Sequence, residues 1–169
     1  MKYGEALHRY PNLLNRNFTA DRPNQKWATD ISYIRTGQGF LYLSVIRDLY
    51  DNSIVAYKTG TEQTVNLVLN TIRAARRNEK VTAELQLHSD QGFQYTSPAY
   101  FKLIQEYGIT PSCQDVGILM TMLWLKISFR FSKQIASTGR KLLPLKKLAL
   151  LLTTIFSSTT TSAFKLKQN

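Results

Sequence analysis

Three strand-patterned segments follow one another in this chain, joined by turns too short to hold a helix. Residues 27–36 alternate and are rich in β-branched side chains, and Gly37-Gln38-Gly39 then turns the chain. Residues 40–49 read Phe-Leu-Tyr-Leu-Ser-Val-Ile-Arg-Asp-Leu, Asp51-Asn52 turns it again, and 53–59 form a third such run. Period-two patterning bounded by Gly, Asn and Asp marks strands joined as hairpins, so these three pair antiparallel. After them the period changes. Residues 64–77 put Val65, Leu67, Val68, Leu69, Ile72 and Ala75 on one side, with Arg73, Arg76 and Arg77 largely off it, which predicts a helix. A short strand over 84–88 ends at Ser89-Asp90. Ser97 as N-cap with Pro98 at N1 then opens a helix through Tyr107 that Gly108 stops, and 109–111 form one more strand. The expected fold class is α/β, a mixed sheet with flanking helices.

The flanks read differently. Residues 1–25 are polar, carry Pro11 and Pro23 and show no sustained period, so they are expected to be an extended lead-in. The net charge of +11 suggests a polyanionic partner. Residues 1–115, however, hold 13 basic against 11 acidic side chains, whereas 116–169 hold nine basic and none acidic. Most of the basic character therefore belongs to the tail. The single cysteine, Cys113, excludes a disulfide framework and a Cys-based zinc site. The N-terminus has no apolar signal region, and Pro144, Lys146 and Lys147 interrupt the leucine-rich stretch 142–156. The expectation is a soluble, cytoplasmic protein with no membrane partner.

Two aspartates carry the chemistry. Asp30 lies within Trp27-Ala28-Thr29-Asp30-Ile31-Ser32, and Asp90 within His88-Ser89-Asp90-Gln91-Gly92. In a sheet of this order, carboxylates in the first strand and at the end of the fourth come side by side. Two-metal phosphodiester chemistry uses such carboxylates to hold cations about 4 Å apart, and magnesium favours all-oxygen ligands. The alternative is that Asp30 is an ordinary strand residue and Asp90 a turn cap. Asp is depleted in strand interiors, which tilts Asp30 toward function.

Four ordered blocks add a resemblance: Pro11-Asn12-Leu13-Leu14-Asn15-Arg16-Asn17-Phe18, Pro23-Asn24-Gln25-Lys26-Trp27-Ala28-Thr29-Asp30-Ile31, Leu41-Tyr42-Leu43-Ser44-Val45-Ile46-Arg47-Asp48 and His88-Ser89-Asp90-Gln91-Gly92-Phe93-Gln94-Tyr95. Together they resemble bacterial insertion-sequence transposases with a retroviral-integrase-type catalytic core, over residues 11 to about 112. The resemblance implies a ribonuclease-H-like fold and makes Asp30 and Asp90 the first two members of an Asp-Asp-Glu triad. It also implies Mg²⁺ or Mn²⁺ as cofactor, element ends and target DNA as substrates, strand cleavage and joining as the reaction, and a transposase oligomer as the working assembly. Domain organisation follows: a lead-in over 1–25, a partial core over 26–112, and a tail over 113–169 in which no domain is expected.

The third member is missing. After Ser112 the family pattern leads to a Tyr-Asp-Asn-Ala segment and a helix bearing Glu-Asn-Phe-Phe, but this chain continues Cys113-Gln114-Asp115-Val116 and has no acidic residue beyond Asp115. Codons for the segment from Met120 to Phe129, read from one base earlier, permit Tyr-Asp-Asn-Ala-Met-Ala-Glu-Asn-Phe-Phe. The same offset permits family-like segments over 113–119 and 153–162. The restored Glu would fall at position 126, where this frame has Lys126, with thirty-five residues between it and Asp90. A one-base frame change near Ser112 is therefore expected to leave the core without its third carboxylate and inactive. The competing reading is a basic, low-complexity DNA-binding arm. A full transposase of this kind also resembles a longer chain, with DNA-binding segments before the first block.

Arg73, Arg76, Arg77 and Lys80 form a basic run at a helix end, favourable for the helix dipole or for contact with a DNA backbone. His88 is a candidate phosphate contact or a structural neighbour of Asp90. Trp27 and Tyr33 are candidates for base stacking or for the core. Beyond an inactive transposase core, two alternatives remain: a noncatalytic nucleic-acid-binding or inhibitory partner of an intact transposase, and a different nuclease of the same fold using Asp30, Asp90 and another ligand.

Overall fold

A computed structural model describes residues 8–15, 17–82 and 84–113. Seven elements run in the order β1 (Lys26–Thr36), β2 (Gly39–Asp48), β3 (Ile54–Gly60), α1 (Val65–Asn78), β4 (Gln86–Ser89), α2 (Pro98–Glu106) and β5 (Thr110–Cys113). The expected order is observed, with boundaries moved by one or two residues. The five strands form one sheet in the order β3-β2-β1-β4-β5. β1 pairs antiparallel with β2, and β2 with β3, through the two tight turns. β4 joins β1 in parallel, and β5 joins β4 in parallel, with a helix making each crossover.

Local chemistry fixes the helix starts. The Thr64 hydroxyl accepts from Leu67 N–H, and the Ser97 hydroxyl accepts from Tyr100 N–H ahead of Pro98. Gly108 follows α2 at φ 63°, a left-handed position that glycine adopts without strain.

Register decides which side chains share a face. Trp27 stands opposite Leu87, and Thr29 opposite Ile46, on the face that α1 and α2 cover. There Trp27, Ile46, Leu87, Val68, Ile72, Leu103 and Ile104 make the main core. The alternating residues Ala28 and Asp30 stand level with His88 and Val45 on the other face.

The lead-in packs against that second face. Leu13 N–H donates to Ser112 Oγ (2.9 Å), which lies 2.8 Å from His88 Nδ1, and the Phe18 ring meets His88 edge-on. Pro11 O accepts from Cys113 N–H, and Leu14 is buried. This segment has no period because its contacts are made one at a time with a finished sheet edge.

The tail expected over 113–169 begins inside the sheet, since Cys113 is the last residue of β5, and its remainder, Lys126 included, lies outside the described residues. Among the described residues no helix is long and apolar enough to cross a membrane.

Candidate active site

Parallel pairing of β1 with β4 brings the two aspartates together. Lys26, Trp27 and Ala28 face Gln86, Leu87 and His88. Two residues further along each strand, the same register puts Asp30 level with Asp90. Asp30 lies inside β1 and is 6% exposed, and Asp90 follows the last residue of β4 and is half-buried.

Each carboxylate commits one oxygen to a backbone amide. Asp30 Oδ1 accepts from Ile31 N–H at 2.6 Å, and Asp90 Oδ1 accepts from Gly92 N–H at 2.9 Å. The second contact is an Asx-turn, so Asp90 does cap its own turn, one of the two roles open to it from sequence. Its carbonyl is also held: Ser89 Oγ donates to it at 3.0 Å and Cys113 Sγ at 3.4 Å. The end of β5 thus sets the backbone from which the Asp90 side chain leaves.

Proximity of the two acids has an electrostatic cost. Burial, first, and then the Asp90 charge push the Asp30 carboxyl up to about 6, against the opposing pull of the Ile31 N–H. Tyr95 faces the same pair from the core side, with its hydroxyl 3.4 Å from Thr29 Oγ1. Burial, with both aspartates adding, holds that hydroxyl well above its ordinary value, so it stays protonated. Gly92 leaves room for the Asp90 carboxylate: a Cβ there would stand 2.8 Å from Asp90 Oδ1 and 3.3 Å from Gln94 Oε1. Tyr95 and Gly92 both lie in the block around Asp90, yet their roles depend on the fold of the 90–97 loop and no period in the sequence reveals them.

The oxygen-only donor pair suits a hard divalent cation, whose charge would offset the burial and the neighbouring Asp90 charge that raise Asp30. Among the described residues no cluster of three or more His, Cys, Asp or Glu side chains could hold a metal. Asp48 does not fill the gap. It stands opposite Trp27, three residues back along β1 and so about 10 Å from Asp30. Its carboxylate accepts from Asn24 and Tyr50 N–H groups. Glu106 is exposed at the end of α2. Position 126 lies outside the described residues.

The structure decides between the two roles the sequence left open for Trp27 and for His88, and it divides the basic run. Trp27 is fully buried, with its Nε1 donating to Asn24 Oδ1, so it is a core residue and no base can stack on it. His88 is fully buried beside Ser112, which closes it to a phosphate and leaves the structural role. The run Arg73, Arg76, Arg77 and Lys80 is not one surface. The Arg76 guanidinium sits 4.0 Å above the Tyr107 ring, and Lys80 lines a separate cleft with Arg22 and Glu84. Tyr33, by contrast, is 61% exposed and pairs edge-on with Phe40.

Comparison with known proteins gives the same placement. The family model described as "Integrase core domain" matches residues 20–117. An "Uncharacterized transposase-like protein" of Haemophilus influenzae is 39% identical over 114 residues, covering 68% of this chain and 52% of that protein. "Transposase InsF for insertion sequence IS3A" of Escherichia coli is 34% identical over 106 residues, covering 63% of this chain and 37% of that one. The chain thus spans about half or less of the length of these relatives. Among solved structures, the HTLV-2 integrase catalytic core in complex with magnesium superimposes with a TM-score of 0.60. It is 16% identical, and the match covers 75% of this chain and 80% of that one, a likeness of fold.

Proposed function

The chain belongs to the integrase core domain family, and from that premise we propose that it is the catalytic-core portion of an insertion-sequence transposase, inactive in strand transfer as this frame encodes it. Its sheet is the ribonuclease-H-like core of that family. The observation that carries the reading is the register of the adjacent parallel strands β1 and β4, which puts Asp30 level with Asp90, where burial first and the Asp90 charge after it raise the Asp30 carboxyl.

In this reading Asp30 and Asp90 are the metal ligands and catalytic carboxylates. They would hold Mg²⁺ or Mn²⁺, which when bound supplies Lewis-acid activation of a phosphodiester and of the attacking hydroxyl. The chain's own contribution is positional. Ile31 N–H and Gly92 N–H fix one oxygen of each carboxylate, Ser89 and Cys113 fix the Asp90 carbonyl, and Tyr95 and Thr29 close the core side against water. The substrates are element-end and target DNA, and the assembly is an oligomer of transposase subunits.

The proposal of inactivity rests on the sequence, which has no acidic residue after Asp115. Two carboxylates bind a divalent cation weakly and leave the second cation without a ligand. That shortage also favours a second reading, a noncatalytic nucleic-acid-binding partner of an intact transposase.

The test compares this chain with the product of the same gene carrying one base restored near Ser112. Both are assayed for Mg²⁺- or Mn²⁺-dependent cleavage and joining of element-end DNA. The expected result is no product from this chain and product from the restored one, abolished by Asp90→Asn. Strong cutting by this chain that Asp90→Asn removes overturns the inactivity. A restored protein that folds but neither binds Mg²⁺ nor acts on DNA overturns the function.

A further inference from the structure

The structure divides the basic run of α1 and joins part of it to a residue from another element. Arg73 and Arg77, one helical turn apart and so about 6 Å along the axis, line a cleft of about 230 Å³ together with Lys58, Thr59, Asn70 and, at its floor, Leu67. Lys58 belongs to β3, one of the two edge strands of the described sheet. Lys58, Arg73 and Arg77 are all exposed, and none makes an ion pair among the described residues. Arg73 Nη1 donates to Asn70 Oδ1 at 3.1 Å, which orients the guanidinium plane.

The helix dipole accounts for cations in the last turn, Arg76 and Arg77. It does not account for Arg73 or for a lysine on a neighbouring strand. Three like charges converge here with no acid lining the cleft, an arrangement that a bound anion relieves. The other members of the run have partners of their own. Arg76 lies on Tyr107, and the Lys80 cleft contains Glu84, which is ion-paired with Arg22.

We infer that Lys58, Arg73 and Arg77 form a docking site for the phosphodiester backbone of double-stranded DNA. The inference rests on the proposed function for its choice of polyanion and deepens it by locating a backbone contact away from the carboxylates. Guanidinium forks match phosphate oxygens, and each strand presents one phosphate per about 3.4 Å of helix axis, offering successive partners within the reach of the three cations. The strand register puts Lys58 opposite Ser44, and Ser44 opposite Ile31. The cleft is therefore two strand spacings, about 10 Å, from the level of Asp30, and it positions DNA without touching the reacting bond. A protein partner is disfavoured by the lining: Leu67 is buried at the floor, and none of the exposed large apolar side chains among the described residues, Leu13, Tyr33, Phe40, Tyr50 and Phe93, borders the cleft.

The experiment titrates the whole chain against a fluorescent DNA duplex of arbitrary sequence, with divalent metal chelated, at a series of salt concentrations. It compares wild type with the triple variant Lys58→Ala/Arg73→Ala/Arg77→Ala and with Lys80→Ala. Each phosphate contact contributes about 0.9 to the slope of log affinity against log salt, so the triple variant should flatten that slope by about 2–3, and Lys80→Ala should leave it unchanged. The cations after residue 115 contribute equally to all three proteins and cancel. A triple variant with a wild-type circular dichroism melt and an unaltered slope overturns the proposal. So does poly-glutamate, at matched charge, binding wild type more tightly than DNA and losing that binding in the triple variant. Calorimetric Mg²⁺ binding is measured separately with Asp90→Asn, so failure of the carboxylate reading is distinguishable from failure of this one.

Discussion

Replacing Asp30 with asparagine should make the metal-free protein more stable, with a gain that depends on pH. The folded environment raises the Asp30 carboxyl from 3.8 to about 6. A group raised on folding binds its proton more tightly in the native than in the unfolded state. Native stability is therefore undiminished below about pH 4, falls between about 4 and 6, and carries the full penalty above that. At about 1.4 kcal/mol per pH unit the gap amounts to about 3 kcal/mol at pH 8. Asparagine is uncharged and keeps an oxygen able to accept from Ile31 N–H, so Asp30→Asn removes the penalty and retains the hydrogen bond of the native residue. Urea unfolding followed by circular dichroism in a chelating buffer should show a midpoint gain equivalent to about 3 kcal/mol at pH 8 that vanishes near pH 4. In thermal melts of a chain of this size the same gain corresponds to about 6–12 °C. Equal stability of variant and wild type at pH 8, or a gain of the same size at both pH values, would refute the account of a carboxylate strained by burial, with the Asp90 charge adding to it.

Other substitutions test other parts of the site. Gly92→Ala forces a Cβ to 2.8 Å from Asp90 Oδ1, and should cost about 1–3 kcal/mol in urea unfolding while weakening Mg²⁺ binding measured by calorimetry. Trp27→Ala removes a fully buried side chain and should cost about 3–5 kcal/mol, enough to leave much of the protein unfolded at 37 °C by circular dichroism. Arg76→Ala gives up the Tyr107 stacking contact and should cost about 0.5–1 kcal/mol without changing the salt slope of DNA binding. Ser112→Ala takes the acceptor from Leu13 N–H, and faster amide exchange at Leu13 should accompany a loss of about 1–3 kcal/mol.

The element order was legible because each segment announces its own period. The alternation over 27–36 and the 3.6-residue spacing over 64–77 depend on local sequence alone, as do the Thr64 and Ser97 caps. The aspartate pair was legible from strand order, since carboxylates in neighbouring parallel strands fall level once the register is set. Residues whose meaning depends on a distant partner were not. Arg76 and Arg77 are adjacent in sequence and alike in chemistry, yet the first is assigned by Tyr107 just past the end of α2 and the second by Lys58 on an edge strand. His88 and Trp27 carry polar or aromatic handles that suggest function, and only complete burial shows them to be structural. Tyr95 near both carboxylates was hidden by a loop without periodicity.

The hydrogen bonds from Leu13 and Cys113 have a practical consequence for dissecting this molecule. The family match begins at residue 20, and a fragment cut there would look sufficient on an alignment. Such a fragment would leave Cys113 N–H without the Pro11 carbonyl and Ser112 without Leu13. The Tyr10 ring would also be lost from its place against Tyr100. The last strand would become a frayed margin, and with it the Cys113 thiol that steadies the carbonyl of Asp90. The cooperative unit therefore reaches back at least to Tyr10, and shortening the chain from that side should loosen the carboxylate furthest from the cut in sequence.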